Sequence, residues 1–175
     1  MRSAGLRRYN HKMSDDLVIL ATRLGDALKR RRWMLAIAES CTGGGIAHAC
    51  TAIPGSSEWF DRGFVTYSNR AKTEMLGVPA ELIERHGAVS EAVARAMAQG
   101  ALQHGHAHIA LAVTGIAGPT GGSLDKPVGL VWIAYAQVGG AISASRYLFD
   151  GDRARVRGQS VLAALRQALK LWDEC

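Results

Sequence analysis

At 175 residues, with 48% hydrophobic and 21% charged residues, the chain has the size of one domain with a sizeable core and an ordinary globular make-up. No apolar run approaches the roughly 20 residues a membrane-spanning helix needs. The formal net charge of +6 would suit nucleic acid or a phosphorylated small molecule. Much of it sits in the first twelve residues and in Lys29-Arg30-Arg31-Arg32; no aromatic interleaves with the latter cluster to stack bases, so nucleic acid is disfavoured as a partner.

In chain order, Met1 to Lys12 carries Arg2, Arg7, Arg8 and Lys12, no acid, and no apolar segment of a secretory signal. Residues 1–14 therefore read as a disordered basic leader, in preference to an organelle presequence, and 15–175 as one domain. Leu17, Leu20, Ala21, Leu24 and Leu28 give Asp15 to Arg31 a helical period, closed by a cationic last turn. Met34 to Ala38 reads as a buried strand and Ile46 to Ile53 as the helix after it, ending near Pro54-Gly55. Phe64 to Tyr67 is a second strand, Asn69 to Leu76 a short helix closed by Gly77 and Pro79, and Pro79 opens another helix to His86-Gly87. Ser90 is a candidate N-cap for an Ala-rich helix from Glu91 to Gln103.

Ile109 to Val113 is a strand, followed by a loop, Gly115 to Gly129, with five glycines and two prolines. Val128 to Gln137 and Ala141 to Phe149 read as strands of a hairpin about Gly139-Gly140. A last helix from about Asp152 to Trp172 places Leu162, Leu165, Leu169 and Trp172 on one face. The alternation predicts a three-layer α/β/α sandwich with a mixed, mostly parallel sheet and a late β-hairpin.

Three loops follow predicted strands, where open α/β sheets bind ligands. They hold Glu39-Ser40-Cys41-Thr42-Gly43-Gly44, Tyr67-Ser68-Asn69-Arg70-Ala71-Lys72, and Thr114-Gly115-Ile116-Ala117-Gly118-Pro119. Neither glycine loop fits GxxxxGK[ST], GxGxxG or GxSxG. Taken alone, Gly43–Gly45 could serve tight packing, the third loop could be plain surface, and Thr114 could cap a turn. Ser40, at a strand-to-helix turn before three glycines, is a candidate nucleophile with an oxyanion cradle. A serine needs a base, and none of the three loops contains histidine, so a Ser-His-Asp triad is not evident. Lys72, about one and a third turns beyond Tyr67, could lose its proton if desolvated, although an exposed helix lysine would look the same in sequence.

Cys41, Cys50 and Cys175 have no metal-binding spacing, and their odd number suggests reduced thiols in a cytoplasm. His104, His106 and His108 alternate before a strand and read as exposed loop histidines in preference to a metal site.

Taken together, the three loop motifs, Lys126-Pro127-Val128-Gly129-Leu130-Val131 and Phe149-Asp150-Gly151-Asp152-Arg153 closely resemble the carboxy-terminal domain of the CinA family, the PncC-type nicotinamide-nucleotide amidohydrolases. The likeness covers about residues 15–173 and is to the stand-alone form, without the molybdopterin-binding-like domain of longer members. It implies hydrolysis of the carboxamide of nicotinamide mononucleotide to nicotinate mononucleotide and ammonia, in pyridine-nucleotide salvage, without a metal or organic cofactor. It also implies a homo-oligomer, a dimer being favoured; the cysteine usage adds a cytoplasmic location and the lack of a long apolar run adds no membrane partner. The family's catalytic serine, lysine, tyrosine and threonine fall on Ser40, Lys72, Tyr67 and Thr114. For substrate binding the expected residues are Thr42, Gly43, Gly44, Asn69, Arg70, Gly115, Ala117, Gly118 and Arg153, with Arg153 and the Gly115–Gly118 amides the first candidates for the phosphate. The competing expectation is a catalytically silent module of the same fold with a competence or DNA-damage partner; the presence of both Ser40 and Lys72 favours the enzyme.

Overall fold

The computed structural model describes residues 2–173, with side chains over 13–170. Met1, Cys175, the basic side chains of the leader and Trp172 at the end of the last apolar stripe lie outside the described residues. Six α-helices and five strands follow one another among the described residues: α1 (Arg2–Arg31), β1 (Leu35–Glu39), α2 (Gly45–Thr51), β2 (Phe60–Val65), α3 (Asn69–Leu76), α4 (Ala80–His86), α5 (Glu91–His104), β3 (Ile109–Gly115), β4 (Leu130–Gln137), β5 (Ser143–Leu148) and α6 (Arg153–Asp173).

The five strands form one mixed sheet in the order β2-β1-β3-β4-β5. β1 pairs parallel with β2 and β3, whereas β4 pairs antiparallel with β3 and β5. The pairings are thus evenly divided, yet β1, β2, β3 and β5 run one way and β4 alone runs the other. That direction matters for the site, because the chain leaves all four of those strands at the same edge of the sheet.

Alternation along the central strands sorts side chains by size onto two faces. Ala36, Ala38, Ala110, Ala112, Ala134 and Ala136 form one face, where the small-residue side of α5 (Ala94, Met97, Ala98, Ala101) packs closely. Leu35, Ile37, Ile109, Leu111, Val113 and Ile133 form the other, covered by Leu24 and Leu28 of α1 and by Val161 and Leu165 of α6. Helices on both faces of a sheet complete the expected three layers.

The second strand begins four residues earlier than its apolar pattern indicates. Phe60, Asp61 and Arg62 join β2 because it is an edge strand that is only half buried, so its first residues can be polar. The late hairpin turns through residues 138–142, with the Gly140 N–H donating to the Gln137 carbonyl, rather than through Gly139-Gly140 alone. Among the described residues no helix is long and apolar enough to cross a membrane.

Candidate active site

Strand register brings the three loops together. Glu39, the last residue of β1, lies opposite Val65 of β2 on one side and Val113 of β3 on the other. The next residues, Ser40, Thr66 and Thr114, therefore lie side by side, Ser40 and Thr66 leaving their strands while Thr114 stays in β3, paired with Trp132 of β4. Two backbone bonds fasten them: the Ser40 N–H donates to the Val113 carbonyl at 3.0 Å and the Thr66 N–H to the Glu39 carbonyl at 2.8 Å.

From β1 the chain turns sharply into α2. Gly43 and Gly44 have φ of 58° and 91°, a left-handed pair that side chains disfavour, and this bend presents Ser40 to the cavity. The N-terminus of α2 is not available as a phosphate cradle. The buried Glu39 carboxylate occupies it, accepting the N–H groups of Ile46 at 3.1 Å and Ala47 at 2.9 Å. On the far side, Arg157 of α6 donates to the Thr42 carbonyl at 2.9 Å. Thr42 itself is buried, so it belongs to the wall behind the turn and is absent from the cavity lining.

α3 supplies a lysine. Ser68 caps the helix by accepting the Ala71 N–H at 3.0 Å, and one turn in, Lys72 points back under the sheet edge. Lys72 is 1% exposed. Its Nζ lies 3.0 Å from Ser40 Oγ and 2.8 Å from the Thr66 carbonyl. Burial holds its pKa below the ordinary lysine value, with the neighbouring Cys41 thiol opposing in part. A neutral amine there donates to Thr66 and keeps a lone pair for the Ser40 proton.

Cys41, the neighbour of Ser40, also lines the cavity, but burial pushes its thiol up to about 11. It is therefore a protonated thiol at neutral pH and a poor nucleophile.

Thr114 is buried and its hydroxyl donates to the Ala88 carbonyl at 2.8 Å. Since Ala88 O can only accept, the Thr114 hydroxyl proton is committed, leaving its oxygen an acceptor for anything in the cavity. Tyr67 is 59% exposed at the cavity mouth, and its hydroxyl accepts a hydrogen bond from Arg153. Arg153 also donates to the Gly118 carbonyl at 3.0 Å, so a single guanidinium ties the second loop to the third. Arg153 arrives here because β5 ends at the same sheet edge as β1–β3 and α6 begins five residues later.

A cavity of about 200 Å³ is lined by Ser40, Cys41, Tyr67, Asn69, Lys72 and Arg153, with Thr114, Gly115 and Ala117 from the third loop. Gly115 is needed for space: a Cβ there would fall 2.8 Å from the Leu130 carbonyl oxygen and 3.1 Å from Cys41 Sγ. Most of the expected residues thus meet at one place. Arg70 does not, because its side chain is 85% exposed and pairs with Glu74 along α3 at 2.6 Å. Gly43 and Gly44 shape the turn rather than line the cavity, and Gly118 offers its carbonyl to Arg153.

Ala88 and Val89, between α4 and α5, complete the wall; nothing in the sequence marked them. Glu39, Thr66 and Arg157 also went unassigned. The sequence signal for Glu39 is a carboxylate ending an otherwise apolar strand. No group of three or more His, Cys, Asp or Glu among the described residues could hold a metal ion. The ring of His108 is used structurally, accepting the Met34 N–H at 3.0 Å and stacking on Trp33.

Known proteins share both sequence and fold with this chain. The CinA C-terminal domain family model matches residues 18–172. The nicotinamide-nucleotide amidohydrolase PncC of Pseudomonas putida is 52% identical over 160 residues, covering 91% of this chain and 99% of that protein. The protein of the same name from Escherichia coli K12 is 50% identical over 159 residues, covering 91% of this chain and 94% of its own length. Among solved structures, the competence/damage inducible protein CihA of Agrobacterium tumefaciens superposes with a TM-score of 0.87 at 46% identity, covering 89% of this chain and 95% of that one.

Proposed function

The chain belongs to the CinA C-terminal domain family, and from that premise we propose that it is a nicotinamide-nucleotide amidohydrolase that converts nicotinamide mononucleotide to nicotinate mononucleotide and ammonia. The observation that carries the chemistry is the buried Lys72 Nζ at 3.0 Å from Ser40 Oγ.

Neutral Lys72 takes the Ser40 proton as Oγ attacks the carboxamide carbon. The backbone N–H of Cys41, which lines the cavity, receives the oxyanion; the Gly43 N–H is already held by the Ser40 carbonyl. Thr114, with its proton committed to Ala88, accepts from the carboxamide NH2 and so orients the amide rather than its developing charge. The lysine ammonium returns its proton to the leaving nitrogen, with the Tyr67 hydroxyl at the cavity mouth as a relay, and ammonia departs. Water, deprotonated by the same lysine, then hydrolyses the nicotinoyl ester on Ser40.

A cavity of about 200 Å³ is smaller than the roughly 300–1,000 Å³ typical of drug-sized ligands. It suits the nicotinamide ring, with the ribose phosphate emerging past Tyr67 and Asn69 toward Arg153. The direct test is ammonia and nicotinate mononucleotide release from purified protein given nicotinamide mononucleotide. In the same assay Arg153→Ala is expected to raise KM for the mononucleotide about 10- to 100-fold, the worth of a charge-assisted phosphate contact, with little effect on the nucleoside. An equal effect on both compounds would remove Arg153 from phosphate recognition.

The catalytic unit is taken as residues 15–175, a span that contains the whole family match. A cytoplasmic location is supported by the free, buried thiols of Cys41 and Cys50. A homodimer is supported by the open edge of β5, where Leu148 is 56% exposed, beside a groove floored by the stacked rings of Tyr147 and Phe149. Sedimentation equilibrium should give twice the chain mass; a monomer at micromolar concentration would rule the dimer out.

A further inference from the structure

Among the described residues, Glu39 is the only carboxylate in the buried core, and the mechanism above gives it no part. It does not sit at the usual N-cap position of α2. That position is Gly44, with φ of 91° and no side chain to cap with. The carboxylate instead reaches across the turn from the end of β1, seven and eight residues back in sequence from the amides of Ile46 and Ala47 that it receives. This closes residues 39–47 into a ring, and Ser40 is a member of it. Without such a closure, two consecutive left-handed glycines would leave the backbone next to Ser40 many conformations.

The same residue also holds the base. Its main-chain carbonyl accepts the Thr66 N–H at 2.8 Å and the Thr66 hydroxyl at 3.4 Å. The Thr66 carbonyl in turn accepts Lys72 Nζ at 2.8 Å. Glu39 is therefore covalently next to the nucleophile and two hydrogen bonds from the base.

We propose that Glu39 is a positioning residue: its carboxylate, closed on the first turn of α2, sets the Ser40 turn so that Oγ meets Lys72 Nζ. The proposal rests on Ser40 and Lys72 being the nucleophile and base. A glutamine at position 39 keeps the length but presents one acceptor and one donor to two N–H groups, so one contact becomes donor against donor. An aspartate keeps the charge but falls one methylene short.

The test reads Ser40 directly, through its rate of covalent labelling by a fluorophosphonate, with thermal melting to confirm folding. Glu39→Gln is expected to be folded, to label about tenfold or more slowly than wild type, and to lose kcat on nicotinamide mononucleotide by a similar factor, with KM changed less than about threefold. Glu39→Asp should fall in the same direction, and it stands in for the first variant should glutamine prevent folding. Labelling at the wild-type rate in a folded variant, even one with a lowered melting temperature, would show that Glu39 is a stabilising cap and nothing more. If wild-type Ser40 labels but no ammonia is released, the amidase reading fails while the labelling rates still decide the role of Glu39.

Discussion

Replacing Ser40 by alanine is expected to lower kcat for nicotinamide mononucleotide at least about 10³-fold, since removing a nucleophile leaves only binding and oxyanion stabilisation. The protein should otherwise be unchanged. The hydroxyl is buried beside Lys72 and makes no other side-chain bond in the structure, so the variant should melt within a few degrees of wild type. Binding should survive as well, because Arg153 and Asn69 are untouched, and calorimetric titration of the mononucleotide into the variant would show it. Cys41 cannot take over, since its thiol is held at about 11. Ammonia release by Ser40→Ala at the wild-type rate would remove the covalent route altogether.

The second large effect belongs to Lys72. Methionine in its place fills a similar buried volume without a charge, and kcat should again fall at least about 10³-fold. The double variant with Ser40→Ala should be no worse than either single one, because the pair acts as a unit. In wild type, kcat/KM should rise with pH along an acid limb centred below 10.5, the ordinary lysine value, as Lys72 loses its proton. A pH profile without that limb would assign the base elsewhere.

Stability should move with the same group. The folded protein releases the Lys72 proton more readily than the unfolded chain does. Between the folded pKa and 10.5 the unfolded chain therefore binds more protons, and stability gains with rising pH across that window. Below the window the cost of a buried ammonium is fully present; above 10.5 there is no further gain. The difference between wild type and Lys72→Met in denaturant midpoints, measured from neutral pH to about 11, isolates this contribution. Methionine should be the more stable at the neutral end, with the gap closing as pH rises.

Much of this molecule was legible in the residues alone. Alternating alanines and branched aliphatics from Leu35 to Ala38 and from Ile109 to Val113 announced buried strands, and Ser90, Gly77 and Gly87 marked helix ends, because these signals are local and set by side-chain shape and backbone freedom. Ser40 beside three glycines, and a lysine one turn into α3, were visible as candidates. Their union was not. Whether Lys72 is an exposed helix lysine or a base depends on its depth under the sheet edge, 1% exposed, which follows from α3 packing against α5 rather than from any neighbour in sequence.

Tertiary structure likewise separated residues that the motifs had grouped together. Arg70 and Lys72 are two positions apart on α3, and a helix turns about 200° between them, so one faces solvent and Glu74 while the other faces Ser40. Register decided the rest: Glu39 opposite both Val65 and Val113 places Ser40, Thr66 and Thr114 abreast, and the single reversed strand β4 returns the chain to bring Arg153 to the same edge. The sequence by itself determined which chemical groups are present and which local shapes carry them. The fold alone decided their distances, their desolvation and hence their protonation, because those depend on contacts between segments 26 to 115 residues apart.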